Sequence, residues 1–281
     1  MTTYIKIVIV VLIILAVLIA FYLYSIKPGK RRDTSYFENK NYAHRGLHDK
    51  TVPENSLEAF RLAAEQGYGV ELDVQMSKDG QLVVFHDGNL KRMCGVDGKL
   101  KNFTYEELSQ LRLKDSEERI PLFSAVLETL NGMDLICEIK GDNGVRNYEL
   151  CEKVYSMLKD YKGKFVIESF SPFLVMWFRK NHPEIIRGQL SCSFNDNEHM
   201  NPILRFTMSH MMGNIFSRPD FVAYKHEDVK NPGFRLVKKL YKPFLVAWTA
   251  KGDKQQDHAS KHFDSVIFEK DPPESERDGE K

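Results

Sequence analysis

Every residue from Ile7 to Tyr24 is apolar or aromatic, and Ile26 extends the run past Ser25. At about 1.5 Å of rise per residue, a helix of that length spans most of the roughly 30 Å hydrocarbon core of a bilayer. Tyr4 at one end and Tyr22 and Tyr24 at the other suit the aromatic belts of the two interfaces. The run is too long for the apolar part of a secretory leader, and no small-x-small cleavage pattern follows it. Residues 1–26 are therefore read as a retained transmembrane anchor, meeting the membrane through residues 4–26.

From residue 42 onward the pattern changes. Short β-rich runs fall at 42–45, 69–75, 82–86, 134–140, 165–170, 187–191, 221–224, 244–248 and 265–268. Helical spacing falls between them at 55–65, 104–112, 124–130, 148–159, 172–180 and 231–240. Thr104 with Glu107 forms a capping box, and Ser56 with Ala59 opens a second helix. Strands alternating with helices predict a parallel sheet with helices outside. The run at 82–86 follows 69–75 too closely for a parallel crossover, and Lys78-Asp79-Gly80 is a hairpin turn, so it folds back antiparallel over the barrel mouth. Eight parallel strands remain. The expected fold is α/β, a TIM-type (β/α)8 barrel over 39–270 preceded by a single N-terminal transmembrane helix. A basic linker at 27–38 joins the two, and an acidic, flexible tail follows at 271–281.

Composition changes this picture little. Of 281 residues, 42% are hydrophobic and 28% charged, an ordinary balance for a chain with a buried core. Forty basic and 39 acidic side chains leave a net charge of +1, so no global field points to nucleic acid and anion binding must be local. Lys27, Lys30, Arg31 and Arg32 follow the apolar run while only Lys6 and the α-amine precede it, a bias that puts the barrel in the cytoplasm. Cys94, Cys137, Cys151 and Cys192 show no zinc spacing and are expected as free thiols. Oligomeric state leaves no mark on the sequence.

The chemistry-bearing residues gather at predicted strand ends, where barrel active sites form. His44-Arg45-Gly46 closes the first strand and His86-Asp87 the hairpin. Glu71 and Asp73 lie two apart on the second strand, so their carboxylates share a face, and Glu138 and Lys140 repeat that spacing. Glu71, Asp73 and Glu138 make an all-oxygen set for one hard divalent cation, Mg²⁺ or Ca²⁺. Arg45 and Lys140 supply positive charge for phosphate oxygens. His44 and His86 suit general acid and base duties. Taken singly, each has a plainer reading: a strand-end histidine is usually structural, and Glu138 with Lys140 is also a same-face ion pair.

The stretches A-H-R-G (43–46), P-E-N-S-L-E-A-F (53–60) and V-E-L-D-V-Q-M-S-K-D-G-Q-L-V-V-F-H-D (70–87) closely resemble the glycerophosphodiester phosphodiesterase family. C-E-I-K (137–140) is similar to that family's second carboxylate signature. The likeness is dense over 42–140 and sparse afterward. It implies an eight-stranded barrel that hydrolyses glycerophosphodiesters to an alcohol and glycerol 3-phosphate. On this chain it implies Glu71, Asp73 and Glu138 as cation ligands, His44 and His86 as the acid/base pair, and Arg45 and Lys140 on the phosphate. It further implies Trp248 as a wall of the glycerol or head-group pocket. Glu54 is expected to cap the helix opening at Asn55 rather than join the site. Ala250-Lys251-Gly252-Asp253 after Trp248-Thr249, and Phe268-Glu269-Lys270 at the last strand, depart from the family's usual residues and bear on substrate range.

Two further readings compete with hydrolysis of soluble glycerophosphodiesters. One is a lysophospholipase D acting on lipid still held in the bilayer, suggested by the anchor and the apolar residues of 203–216. The plainer expectation for that stretch is an ordinary barrel helix with its Met and Phe in the core. The other is a retired barrel serving as a membrane scaffold, which the full complement of site residues opposes.

Overall fold

The computed structural model describes residues 3–30, 33–141, 146–195, 197 and 200–270. Its strands are β1 (Asn41–His44), β2 (Gly69–Met76), β3 (Leu82–Val84), β4 (Leu135–Ile139), β5 (Phe165–Ser169), β6 (Arg187–Ser191), β7 (Phe221–Lys225), β8 (Phe244–Lys251) and β9 (Ser265–Glu269). Eight of them run parallel, and β1 pairs with both β2 and β9, which closes the barrel. β3 pairs antiparallel with β2, as the short Lys-Asp-Gly connection requires.

Each barrel strand is buried on both sides, which is why the strands read as near-continuous apolar runs. On β2, Val70, Leu72 and Val74 pack outward against the helices, as Leu135, Cys137 and Ile139 do on β4. The alternate positions face inward. Tyr42, Ile136, Val166, Leu190, Phe221, Phe244 and Ile267 fill the barrel's interior. Glu71, Asp73, Glu138 and Glu168 take the inward positions nearer the C-terminal ends. The excursion after β3 carries its own small core of Val83, Phe85, Leu90, Met93, Leu100, Leu108, Leu113 and Ile120. None of the four cysteines is joined in a disulfide among the described residues.

The segment expected as a linker is partly structural. Ser35–Phe37 forms a turn of 3-10 helix, and Phe37 is buried. Its ring lies 5.2 Å from Tyr42, 5.3 Å from Phe221 and 5.2 Å from Phe244, all at the N-terminal ends of their strands. Phe37 thus plugs the barrel floor; periodicity could not flag it, because one buried aromatic in a polar stretch has no period. Phe37→Ala should destabilise the fold by about 3–5 kcal/mol, the usual cost of emptying a buried phenylalanine site. A urea midpoint equal to wild type would return this segment to a mere spacer.

The first helix, Thr3–Ile26, is long and apolar enough to cross a membrane, and its residues up to Phe21 stand clear of the barrel. The stretch 203–216 corrects the expectation of a core helix. It folds as Pro202–Ser209, capped by Asn201, and Asn214–Ser217. Met211 is buried, but Ile203, Leu204, Phe206 and Phe216 are exposed. Gly252–Ser260 is a further helix that hydrophobic spacing did not predict, since only Gly252 and Ala259 are buried on it. The helix expected over 104–112 is one turn, Tyr105–Leu108, opened by the Thr104–Glu107 capping box. The tail at 271–281 lies outside the described residues.

Candidate active site

His44 ends β1, and the chain then turns sharply through Arg45 and Gly46, both in left-handed backbone at φ +57° and +80°. A Cβ at Gly46 would lie 2.7 Å from the Ala59 carbonyl carbon, so glycine alone fits there. The turn aims the Arg45 amide at Glu71, donating to Oε2 at 3.2 Å. The Arg45 side chain donates to Glu54 Oε1 at 2.6 Å and lies 3.3 Å from Asp73 Oδ2.

Glu71, Asp73 and Glu138 come together as their spacing predicts. β2 and β4 pair with Asp73 opposite Glu138, and one ligand oxygen from each of the three lies within 4.8 Å of the others. Lys140 Nζ bridges Asp73 Oδ1 and Glu138 Oε1 at 2.9 Å each. Asn55 Nδ2 donates to Asp73 Oδ2 at 2.8 Å. Burial, then repulsion from Asp73 and Glu138, pushes Glu71 well above the usual carboxylate range, and burial likewise raises Glu138. Burial would raise Asp73 too, but Lys140, His86 and Arg45 hold it well below. Three convergent, buried carboxylates with few donors are costly unless compensated, and a hard divalent cation is the compensation their oxygen chemistry fits.

Both histidines carry a carboxylate on Nδ1. His44 Nδ1 meets Glu269 Oε1 at 2.7 Å, and its Nε2 lies 3.9 Å from Glu71 Oε2. His86 Nδ1 meets Asp87 Oδ1 at 2.7 Å. Such a partner fixes the ring and favours the Nδ1–H tautomer, leaving Nε2 as the unprotonated nitrogen of the neutral ring. Burial lowers His44 to about 4 despite Glu269, so it is a neutral imidazole at neutral pH.

Glu54 does not cap a helix. Ser56 is the cap, accepting from the Ala59 amide, and the helix begins at Leu57. The Glu54 carboxylate instead accepts from Arg45 and from Arg92 Nη1 and Nη2 at 2.8 and 2.7 Å. Although burial opposes ionisation, Arg92 and Arg45 bring Glu54 to about 2. Arg92 also grips Asp87 at 2.6 Å, so one ion network ties the Arg45 turn to the His86 loop. Trp248 faces inward on β8 with its ring edge-on to Phe170 at 5.5 Å, and its Nε1 is buried without a protein partner.

Sequence reasoning missed Glu168 and named Glu269 only as a departure bearing on substrate range. Glu168 sits opposite Glu138 on β5, with Oε2 buried and unpartnered, and burial plus Glu138 raises it well above the usual range. Glu269 ends β9. Both were findable by the rule that pointed to Glu138, a charged residue at an inward position near a strand's C-terminal end.

Residues 44–257 match the model of the glycerophosphoryl diester phosphodiesterase family. A glycerophosphodiester phosphodiesterase of Caldanaerobacter subterraneus subsp. tengcongensis is 36% identical over 169 residues, 56% of this chain and 69% of that protein. The glycerophosphodiester phosphodiesterase structure from Thermotoga maritima superposes with a TM-score of 0.60 at 28% identity, over 81% of this chain and 93% of that one. An Oleispira antarctica phosphodiesterase, solved with the product sn-glycerol-3-phosphate, shares the fold with a TM-score of 0.67 at 24% identity, over 84% and 94% of the two chains. With the match running from the catalytic-end histidine of β1 to the helix before β9, this chain belongs to the glycerophosphoryl diester phosphodiesterase family, a family of phosphoric diester hydrolases.

Proposed function

We propose that this chain hydrolyses glycerophosphodiesters to an alcohol and glycerol 3-phosphate, using one divalent cation, Mg²⁺ or Ca²⁺, held by Glu71, Asp73 and Glu138. The observation that carries the reading is the approach of those carboxylates within 4.8 Å of one another beside Arg45, Lys140 and His44. When bound, the cation supplies positive charge to the non-bridging phosphate oxygens as negative charge builds on them. Arg45 and Lys140 hold and orient the phosphate, and Trp248 walls the pocket for the organic part. One histidine Nε2 takes the proton from the attacking oxygen, and the other returns a proton to the departing alkoxide, so the P–O bond breaks without releasing a free alkoxide. The two Nδ1 carboxylates, Glu269 and Asp87, support this pairing by stabilising each imidazolium as it forms.

The helix Thr3–Ile26 is read as a membrane anchor, with Lys27, Lys30, Arg31 and Arg32 favouring a cytoplasmic barrel. The full chain given glycerophosphocholine should release choline and glycerol 3-phosphate. Glycerol and phosphocholine as products would mean the other P–O bond is cut and would overturn the assignment. One observation favours a second reading, lysophospholipase D. The exposed side chains of Ile203 and Phe206 lie on a helix that touches the foot of the anchor. Release of lysophosphatidic acid from lysophosphatidylcholine, at a rate matching that on glycerophosphocholine, would support it.

A further inference from the structure

The last turn of the N-terminal helix is locked onto the barrel. Tyr22 Oη meets His210 Nδ1 at 2.6 Å, and its ring stacks on Phe206 at 6.2 Å. Tyr241 Oη donates to the Leu23 carbonyl at 2.7 Å, and Asn214 Nδ2 donates to the Ile26 carbonyl at 2.8 Å. Arg218 donates to the Tyr24 carbonyl at 2.9 Å while its guanidinium lies over the Tyr24 ring at 4.3 Å. The Gly29 amide donates to the Pro219 carbonyl at 2.8 Å. A helix of 24 residues is about 36 Å long, so a span of roughly 30 Å of hydrocarbon ends near Tyr22 and Tyr24. Tyrosines are the residues that rest at that level.

Next to that level stands an apolar face that the described residues leave largely open. On helix Pro202–Ser209, Ile203 and Phe206 share a face three residues apart and Leu204 flanks Ile203, and Ile203, Leu204 and Phe206 are 75%, 49% and 48% exposed. Phe216, on the next short helix, is also exposed but packs against Phe173 at 5.5 Å. Because Phe206 stacks on Tyr22, the face is continuous with the membrane helix and held at its depth. Lys27 and Lys30, exposed just past the helix, are placed to meet anionic head groups.

We infer that Ile203, Leu204 and Phe206 form a second membrane contact, a shallow apolar foot that enters the bilayer interface beside the anchor. This rests on the reading of Thr3–Ile26 as a membrane span. The docked turn and the foot together hold the barrel in one orientation on the bilayer instead of letting it swing on a linker.

The test uses the full chain in phosphatidylcholine vesicles, with and without dibrominated acyl chains that quench tryptophan on contact. Ile203→Trp and Phe206→Trp are the probes, and the signal of the two native tryptophans is subtracted. Leu12→Trp reports the span. Glu65→Trp reports the helix between β1 and β2, across the barrel from the foot. Emission at Leu12→Trp, Ile203→Trp and Phe206→Trp should fall about twofold in brominated vesicles, with no fall at Glu65→Trp. Quenching at Leu12→Trp alone overturns the foot and leaves the anchor standing. No quenching at Leu12→Trp overturns the anchor and the foot with it. Efficient disulfide cross-linking of Ile203→Cys chains without quenching would seat a second copy on this face and overturn the lipid contact.

Discussion

Removal of divalent cations with a chelator should abolish turnover of glycerophosphocholine by this protein, and Mg²⁺ or Ca²⁺ should restore it. The expectation follows from the electrostatics of the site. Glu71, Asp73 and Glu138 are all buried and share one small volume. Lys140 and Arg45 offset part of their charge, yet Glu71 and Glu138 remain raised. A hard cation would relieve the remaining repulsion and supply several kcal/mol of transition-state stabilisation, about 10³-fold in kcat. Glu71→Gln keeps the shape and removes one charge, so it should cost a comparable factor and weaken metal binding measured by calorimetry. Its thermal midpoint without metal should not fall, because the substitution also removes a buried like-charge contact. Full turnover in chelator would sink the metal assignment. A midpoint that collapses in Glu71→Gln would show that the carboxylate serves the fold.

His44→Ala and His86→Ala should each lower kcat by roughly 10²–10⁴-fold, the usual worth of a positioned acid or base. Both variants should fold, since neither ring belongs to the apolar clusters of the barrel. A nitrophenyl leaving group separates the roles. Nitrophenolate departs without a proton, so the variant lacking the acid regains most of its rate on that substrate and the variant lacking the base does not. The neutral state of His44, held by burial, suits it to be the base. Near-normal kcat in either alanine variant makes that histidine structural and breaks the pair.

The residues that could be read from sequence were those whose role is local. β2 and β4 were legible because a strand buried on both faces must be apolar at every outward position, so the charges of Glu71, Asp73 and Glu138 stand out at the inward ones. The antiparallel turn of β3 followed from a connection too short to cross over. His44-Arg45-Gly46 pointed to a site because it closes a predicted strand at the end where barrel active sites gather.

By itself, then, the sequence determined the strand positions, the faces of the three carboxylates, the long apolar helix and the family. Hydrophobic period and residue spacing report which side of an element is covered. They do not report what covers it. Only closure of the barrel brought Glu269 to His44 across 225 positions and Glu168 beside Glu138. Only the excursion between β2 and β4 carried Arg92 back to Glu54, 38 positions away, turning an expected helix cap into the link between the Arg45 turn and the His86 loop. Phe37 became the floor of the barrel because the ring of strands leaves an opening there that one aromatic fills. Only the fold showed that helix Pro202–Ser209 leaves Ile203, Leu204 and Phe206 exposed. Burial is a property of neighbours, and these neighbours are assembled only by the tertiary fold.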